Sequence, residues 1–176
     1  MSRSTSSKRV TNAAARVRLL VLDVDGVLTD GRLYYGPRGE ALKVFHVRDG
    51  LGLKLLAAAG IRVAVISGRR SSMTRARCRE LGVRHLLQGV DDKLGAYDQL
   101  RRKLKLTSAD CACVGDDVPD VPLMREVALS FAVADAHPRA RSAAHIVTSL
   151  PGGRGAVREI CDYLLAARGD RAPFAT

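Results

Sequence analysis

The 176-residue chain predicts an α/β fold: a doubly wound (Rossmann-like) parallel sheet with helices on both faces. Three observations predict it. Apolar runs such as "RLLVLD" (18–23), "IRVAVIS" (61–67) and "CACVG" (111–115) lack the polar alternation of half-exposed strands, so they read as strands covered on both sides. Segments of helical periodicity alternate with them, which favours parallel strands joined by helical crossovers. A composition 47% apolar but only 4% aromatic fits one ordinary α/β domain with a sizeable core.

The elements follow in order. After 18–23, the segment 31–47 carries two β-rich stretches around "GPRG", the chemistry of a hairpin. "DGLGLKLLAAAG" (49–60) reads as a helix closed by glycine, and 61–67 as the second buried strand. "SSMTRARCRELG" (71–82) is a helix with serine caps and a terminal glycine. "VRHLLQG" gives a short strand, and 91–104 a helix with apolar spacing at 94, 97, 100 and 104. The segments 111–115, 128–133 and 145–147 read as strands, and "GAVREICDYLLAA" (155–167) as a closing helix. The expected organisation is a flexible basic extension over 1–16, one domain over 17–167 and a tail over 168–176.

Composition narrows the function. No apolar run approaches the roughly 20 residues of a membrane span. Cys78, Cys111, Cys113 and Cys161 show neither C-x-x-C spacing nor a nearby histidine; they read as small hydrophobes in a reducing cytoplasm. The net charge of +11 is unusual. Residues 1–16 hold four basic and no acidic residues, leaving about +7 for the rest. With no stacking aromatics and no nucleic-acid motif, an Arg-rich protein without a nucleic-acid partner is the expectation.

The chemistry gathers at strand ends. Asp23 and Asp25 follow the first strand, Ser67 ends the second, Lys93 follows "HLLQG", and Asp116 and Asp117 follow "CACVG". In a parallel sheet these ends share one edge, where ligands bind. Asp23, Asp25 and Asp116 are hard oxygen donors suited to Mg²⁺, and a bound cation makes their mutual repulsion tolerable. Ser67 and Lys93 add a hydroxyl and an ammonium, so an anion spanning metal and lysine is most economically a phosphate. One carboxylate can then attack phosphorus while the other passes a proton to the leaving alcohol, which gives the D-x-D spacing two roles.

The motifs "DVDGVLTDG", "VISGR", Lys93 in "GVDDK" and "GDDVPD" resemble the four motifs of the haloacid-dehalogenase (HAD) superfamily of phosphohydrolases. The resemblance runs from about residue 17 to 167. Within it, "DVDGVLTDGRLYYGPRGEALKVFHVRDGLGLKLL", "VADAHP" and "GGRGAVREICDYLL" are similar to the family that hydrolyses 3-deoxy-D-manno-octulosonate 8-phosphate (Kdo 8-phosphate) in lipopolysaccharide synthesis. The resemblance implies Asp23 as nucleophile, and Asp25 as acid/base with its backbone carbonyl on the metal. It implies Asp116 as a metal ligand, and Ser67 and Lys93 on the transferring phosphoryl group. Mg²⁺ is the implied cofactor, with Mn²⁺ or Co²⁺ as substitutes. Asp117 and Asp120 would orient Lys93 or a metal-bound water. Contacts to the sugar acid would fall on His46, Val47, Arg48, Asp49, Gly50, Lys54, Arg69 and Arg77, arginine offering a carboxylate two parallel hydrogen bonds.

Only 43 residues separate Asp23 from Ser67 and 25 separate Ser67 from Lys93, so neither interval has room for the cap domain of many HAD enzymes. Phosphoryl transfer nevertheless benefits from exclusion of water. A hairpin flap at 31–47 is too marginal to stand alone, and the resemblance implies hairpins associated in a homotetramer whose sites are completed by neighbouring subunits. Two other readings stand beside this one. The first is a phosphatase for a nine-carbon sugar-acid phosphate, disfavoured by Arg69. The second is a phospho-receiver or interaction module, disfavoured by D-x-D-G after the first strand.

Overall fold

The computed structural model describes residues 2–169. Six parallel strands form the central sheet: β1 Leu19–Leu22, β4 Arg62–Ser67, β5 His85–Gln88, β6 Cys111–Gly115, β7 Leu129–Ala132 and β8 Ile146–Val147. Their spatial order is β5-β4-β1-β6-β7-β8, with a separate antiparallel hairpin of β2 Tyr34–Gly36 and β3 Gly39–Leu42. The helices are α1 Ser2–Arg16, α2 Val47–Ala58, α3 Ser72–Glu80, α4 Lys93–Lys103, α5 Val121–Glu126, α6 Pro138–Ala143 and α7 Ala156–Ala167.

β1 is central and every one of its residues is buried, as its continuous apolar sequence requires. It pairs with β4 on one side (Leu22 opposite Val65) and with β6 on the other (Leu22 opposite Val114). The chain builds outward from β1 through β4 to β5, then returns to β6 and builds outward the other way. That reversal is the switch point at which open α/β sheets bind ligands. α1 and α2 pack against α7, while α4, α5 and α6 form a second contiguous group.

One expectation needs correction. Within residues 1–16, expected as a flexible extension, Ser2–Arg16 form the helix α1. Its Ala14 is fully buried, with Val10 and Ala13 packed on the core, so apolar positions tie the basic segment to the domain. The short helices α5 and α6 carry no periodic signal in the sequence, because each is only 6 residues long and has proline at its first or second position. Residues 170–176 of the expected tail lie outside the described residues. Among the described residues, no helix is long and apolar enough to cross a membrane.

Candidate active site

The sheet order converts four separate sequence positions into one cleft. Asp23 follows β1, Ser67 ends β4, Asp116 follows β6, and Lys93 opens α4 after β5. A cleft of about 380 Å³ at this edge is lined by Asp23, Asp25, Ser67, Arg69, Lys93 and Asp116, and also by Asp91, Asp117 and Asp120. Two other depressions, of about 340 and 600 Å³, have no carboxylate in their walls.

Lys93 organises the floor. Its Nζ lies 2.9 Å from Asp23 Oδ1 and 2.6 Å from Asp120 Oδ1, with all three side chains nearly buried. Burial pulls the ammonium down, but the two carboxylates outweigh it and hold Lys93 above its ordinary pKa. The other oxygen of Asp120 accepts the backbone N–H groups of Asp116 and Asp117, at 3.1 and 3.2 Å. Asp120 therefore aims Lys93 and fixes the loop bearing Asp116. Asp117 does not share that role: it is exposed, and its carboxylate accepts from the N–H of Val118 at 2.7 Å, capping a short 3-10 turn.

Oxygens of Asp23, Asp116 and Asp120 lie within 4.8 Å of one another. Crowding carboxylates in a desolvated cleft shows in their proton affinities. Burial first, then the Asp120 charge, raises Asp23 to about 6 against the pull of Lys93. Burial, then Asp23 and Asp120, raises Asp116 to about 8. One ammonium does not neutralise the cluster, and the donors are hard oxygens, so the site fits a divalent cation such as Mg²⁺. Gly26 makes room: with φ +90° it sits where a Cβ would fall 2.1 Å from Asp116 Oδ2.

Ser67 is 3% exposed, and its Oγ accepts the N–H of Arg69 at 3.3 Å, which turns the strand end toward the cleft. Asp25 is held from the hairpin. Lys43, just past β3, donates to its Oδ1, and Arg69 Nε lies 3.7 Å from its Oδ2. Glu40 of the same hairpin lies 3.1 Å from Lys43 Nζ and 3.6 Å from Arg69 Nη2. The chain's own hairpin thus reaches two of the residues that line the cleft, Asp25 and Arg69. Sequence reasoning missed Lys43 and Glu40; the available signal was a lysine and a glutamate three apart inside a β-rich, apolar stretch.

Of the residues expected on the sugar acid, the fold brings Arg69 into this cleft and leaves the others outside its walls. His46 precedes α2, and Val47, Arg48, Asp49 and Gly50 form its first turn. Asp49 is 1% exposed, and its carboxylate accepts the backbone N–H groups of Gly155 (3.3 Å) and Arg158 (2.8 Å) at the start of α7. That is an anchoring role, and it places Asp49 outside the walls of the chain's own cleft. Lys54 is exposed on α2. Arg77 packs where a Cβ on Gly50 would stand, 2.3 Å from its Nη2, and pairs with Glu80 at 2.9 Å. The glycine-rich segment 151–155 packs on the loop after β1: Gly153 donates to Val27 O at 2.9 Å, and a Cβ on Gly152 would fall 1.7 Å from Gly26 O.

Comparison with known proteins agrees with this geometry. The haloacid dehalogenase-like hydrolase family matches residues 86–158. The chain is 50% identical over 163 residues to the 3-deoxy-D-manno-octulosonate 8-phosphate phosphatase KdsC of Salmonella typhi, covering 93% of this chain and 87% of that protein. It superposes with a TM-score of 0.90 and 40% identity on the Moraxella catarrhalis phosphatase of the same name, solved with magnesium, phosphate and KDO, over 93% of this chain and 94% of that one. The cobalt-bound deoxy-D-mannose-octulosonate 8-phosphate phosphatase of Haemophilus influenzae matches with a TM-score of 0.90 and 43% identity, over 93% and 96% of the two chains. The α/β sheet, the carboxylate cluster at its switch point and this likeness over nearly the whole length agree: the chain belongs to the 3-deoxy-D-manno-octulosonate 8-phosphate phosphatase family of haloacid dehalogenase-like hydrolases.

Proposed function

We propose that this protein is a phosphoric monoester hydrolase that converts Kdo 8-phosphate to Kdo and inorganic phosphate, in the supply of lipopolysaccharide precursors. The observation that carries the reading is Lys93, clamped between Asp23 and Asp120 at the carboxylate-rich switch point of the sheet.

In the first step a carboxylate oxygen of Asp23 attacks phosphorus. The phosphorus–alkoxide bond breaks, its electron pair goes to the sugar oxygen, and Asp25 gives that oxygen a proton. The product is an aspartyl-phosphate. In the second step Asp25 takes a proton from water as the water oxygen bonds to phosphorus, and the acyl–phosphate electron pair returns to Asp23. Lys93 and Ser67 hold the transferring group, supplying positive charge and a hydrogen bond where its oxygens gather charge. Asp23, Asp116 and the backbone carbonyl of Asp25 would hold Mg²⁺, with Mn²⁺ or Co²⁺ as substitutes. The metal supplies Lewis-acid charge stabilisation on the phosphoryl oxygens. Arg69, whose guanidinium is held above its ordinary value chiefly by Tyr35, offers the sugar carboxylate its charged partner.

A homotetramer is part of the proposal. Leu33, Tyr34, Tyr35, Leu42, Val44, Val47 and Leu51 are exposed large apolar side chains on the hairpin and the start of α2, a surface that subunit contact would cover. Such contact would carry His46, Arg48 and Lys54 of one chain toward a neighbour's cleft. Light scattering that returns a fully active monomer would sink this part. A reducing cytoplasm fits four buried, unpaired cysteines.

The test is phosphate release with Mg²⁺ from Kdo 8-phosphate, a nine-carbon sugar-acid phosphate, glucose 6-phosphate and a nucleotide. Preference for Kdo 8-phosphate, abolished by EDTA and by Asp23→Asn, is the expected result. Preference for the nine-carbon acid would keep the chemistry and replace the substrate.

A further inference from the structure

Among the described residues of the segment 31–46, only Lys43 is buried. The hairpin's large side chains (Tyr34, Tyr35, Leu42 and Val44) face solvent, while the Lys43 side chain is 1% exposed. This inverts the ordinary ranking, in which lysine is the last side chain to be buried and is buried only when paired. The hairpin is docked on the domain through an ammonium. Its partners are Asp25 and, 3.1 Å away, Glu40; Arg69 closes the set, lying 3.7 Å from Asp25 and 3.6 Å from Glu40. Two carboxylates and two cations therefore alternate around a ring. Glu40 Oε1 and Arg69 Nε are buried without a hydrogen-bond partner, so charge, and not a saturated hydrogen-bond network, holds the ring.

We propose that Lys43 is the positioning residue for the proton-transferring carboxylate of Asp25, delivered by the hairpin and held in place by Glu40; this rests on the reading of Asp25 as acid/base given above. Lys43 occupies Oδ1 of Asp25, and Oδ2, which Arg69 Nε faces from 3.7 Å without hydrogen-bonding it, is the oxygen that exchanges the proton. As that proton passes to the leaving alkoxide, negative charge returns to the carboxylate beside an ammonium already in contact with it. Such an interaction strengthens toward the transition state and needs no reorganisation at that moment. The hairpin thereby becomes part of the chemistry.

The experiment compares a substrate whose leaving group requires a proton with substrates whose leaving groups do not. kcat/KM, which reports events through transfer of phosphorus to Asp23, is measured for Kdo 8-phosphate, p-nitrophenyl phosphate and acetyl phosphate in the wild type, Lys43→Met, Lys43→Arg, Asp25→Asn and the double variant of Asp25→Asn with Lys43→Met. Lys43→Met is expected to lower kcat/KM for the sugar phosphate about tenfold more than for the two activated phosphates. Lys43→Arg should restore most of the difference. The double variant should show no more selectivity than Asp25→Asn alone, since Lys43 acts through Asp25. An equal fall for all three substrates, or no fall, overturns the assignment of Lys43. Asp25→Asn without leaving-group selectivity overturns instead the reading of Asp25. Circular dichroism checks folding. If Lys43→Met does not fold, Glu40→Gln, which keeps the lysine and removes its support, must show the same selective loss for the proposal to stand.

Discussion

Asp23, Asp120 and Lys93 form a buried unit in which each member is tolerated because of the others. Removing the ammonium leaves two desolvated carboxylates without a counter-charge. Lys93→Ala should therefore lower stability by about 3 kcal/mol in metal-free urea titrations at pH 8. The loss should shrink at pH 5, below the value of about 6 to which Asp23 is raised, because its carboxylate can then take up a proton. Gly26→Ala tests the neighbouring carboxylate: the new methyl group collides with Asp116 at a backbone conformation that already disfavours alanine. The expected result is a folded protein needing on the order of tenfold more Mg²⁺ for half-maximal phosphate release. At this scale Asp23, Ser67, Lys93 and Asp116 were legible because each follows an apolar run. Lys43 and Glu40 were not: Lys43 meets Asp25, 18 residues away, and Glu40 meets Arg69, beyond α2 and β4 along the chain, pairings that no local pattern encodes.

Elements add contacts that mimic functional signals. Asp49, inside "HVRDG", reads in sequence as a polar residue awaiting a ligand, yet both its oxygens are committed to backbone N–H groups 106 and 109 residues away. Asp49→Ala should cost about 2 kcal/mol, read by chemical denaturation, by stripping the α7 terminus of two buried hydrogen bonds. The anchoring is needed because α2 and α7 approach closely: a Cβ on Gly52 would stand 3.1 Å from Cys161. The N-terminal helix α1 makes a similar point. Its basic composition suggested an unattached extension, but Ala14 and its neighbours give it an apolar foothold beside α7. Deleting residues 2–16 should expose that seam and lower stability by ~2 kcal/mol, visible as a fall in Tm.

Across the whole molecule, the carboxylate cluster makes stability depend on pH and metal together. Asp23 and Asp116 have an ordinary value of 3.8, raised in the folded chain to about 6 and about 8. A carboxylate raised on folding binds its proton more tightly in the folded state. Its contribution favours the fold below 3.8 and is lost as pH rises through the folded value. The part of metal-free stability due to this pair should thus decline between about pH 4 and pH 8. A divalent cation relieves the same repulsion, so Mg²⁺ should raise Tm more at pH 8 than at pH 6 in a thermal-shift series. Equal shifts at the two values would disconnect the metal from these groups.

The sequence alone determined the layered α/β architecture, the direction of its strands and the identity of the strand-end residues. Those properties follow from hydrophobic periodicity and short connections, which are local. The tertiary structure decided which of the many charged side chains share a cleft. It set Asp120 and not Asp117 on Lys93, gave Asp49 to a helix end, and laid Lys43 against Asp25. Those outcomes depend on strand order, loop path and burial, which bring together groups whose separation along the chain carries no signal of their separation in space.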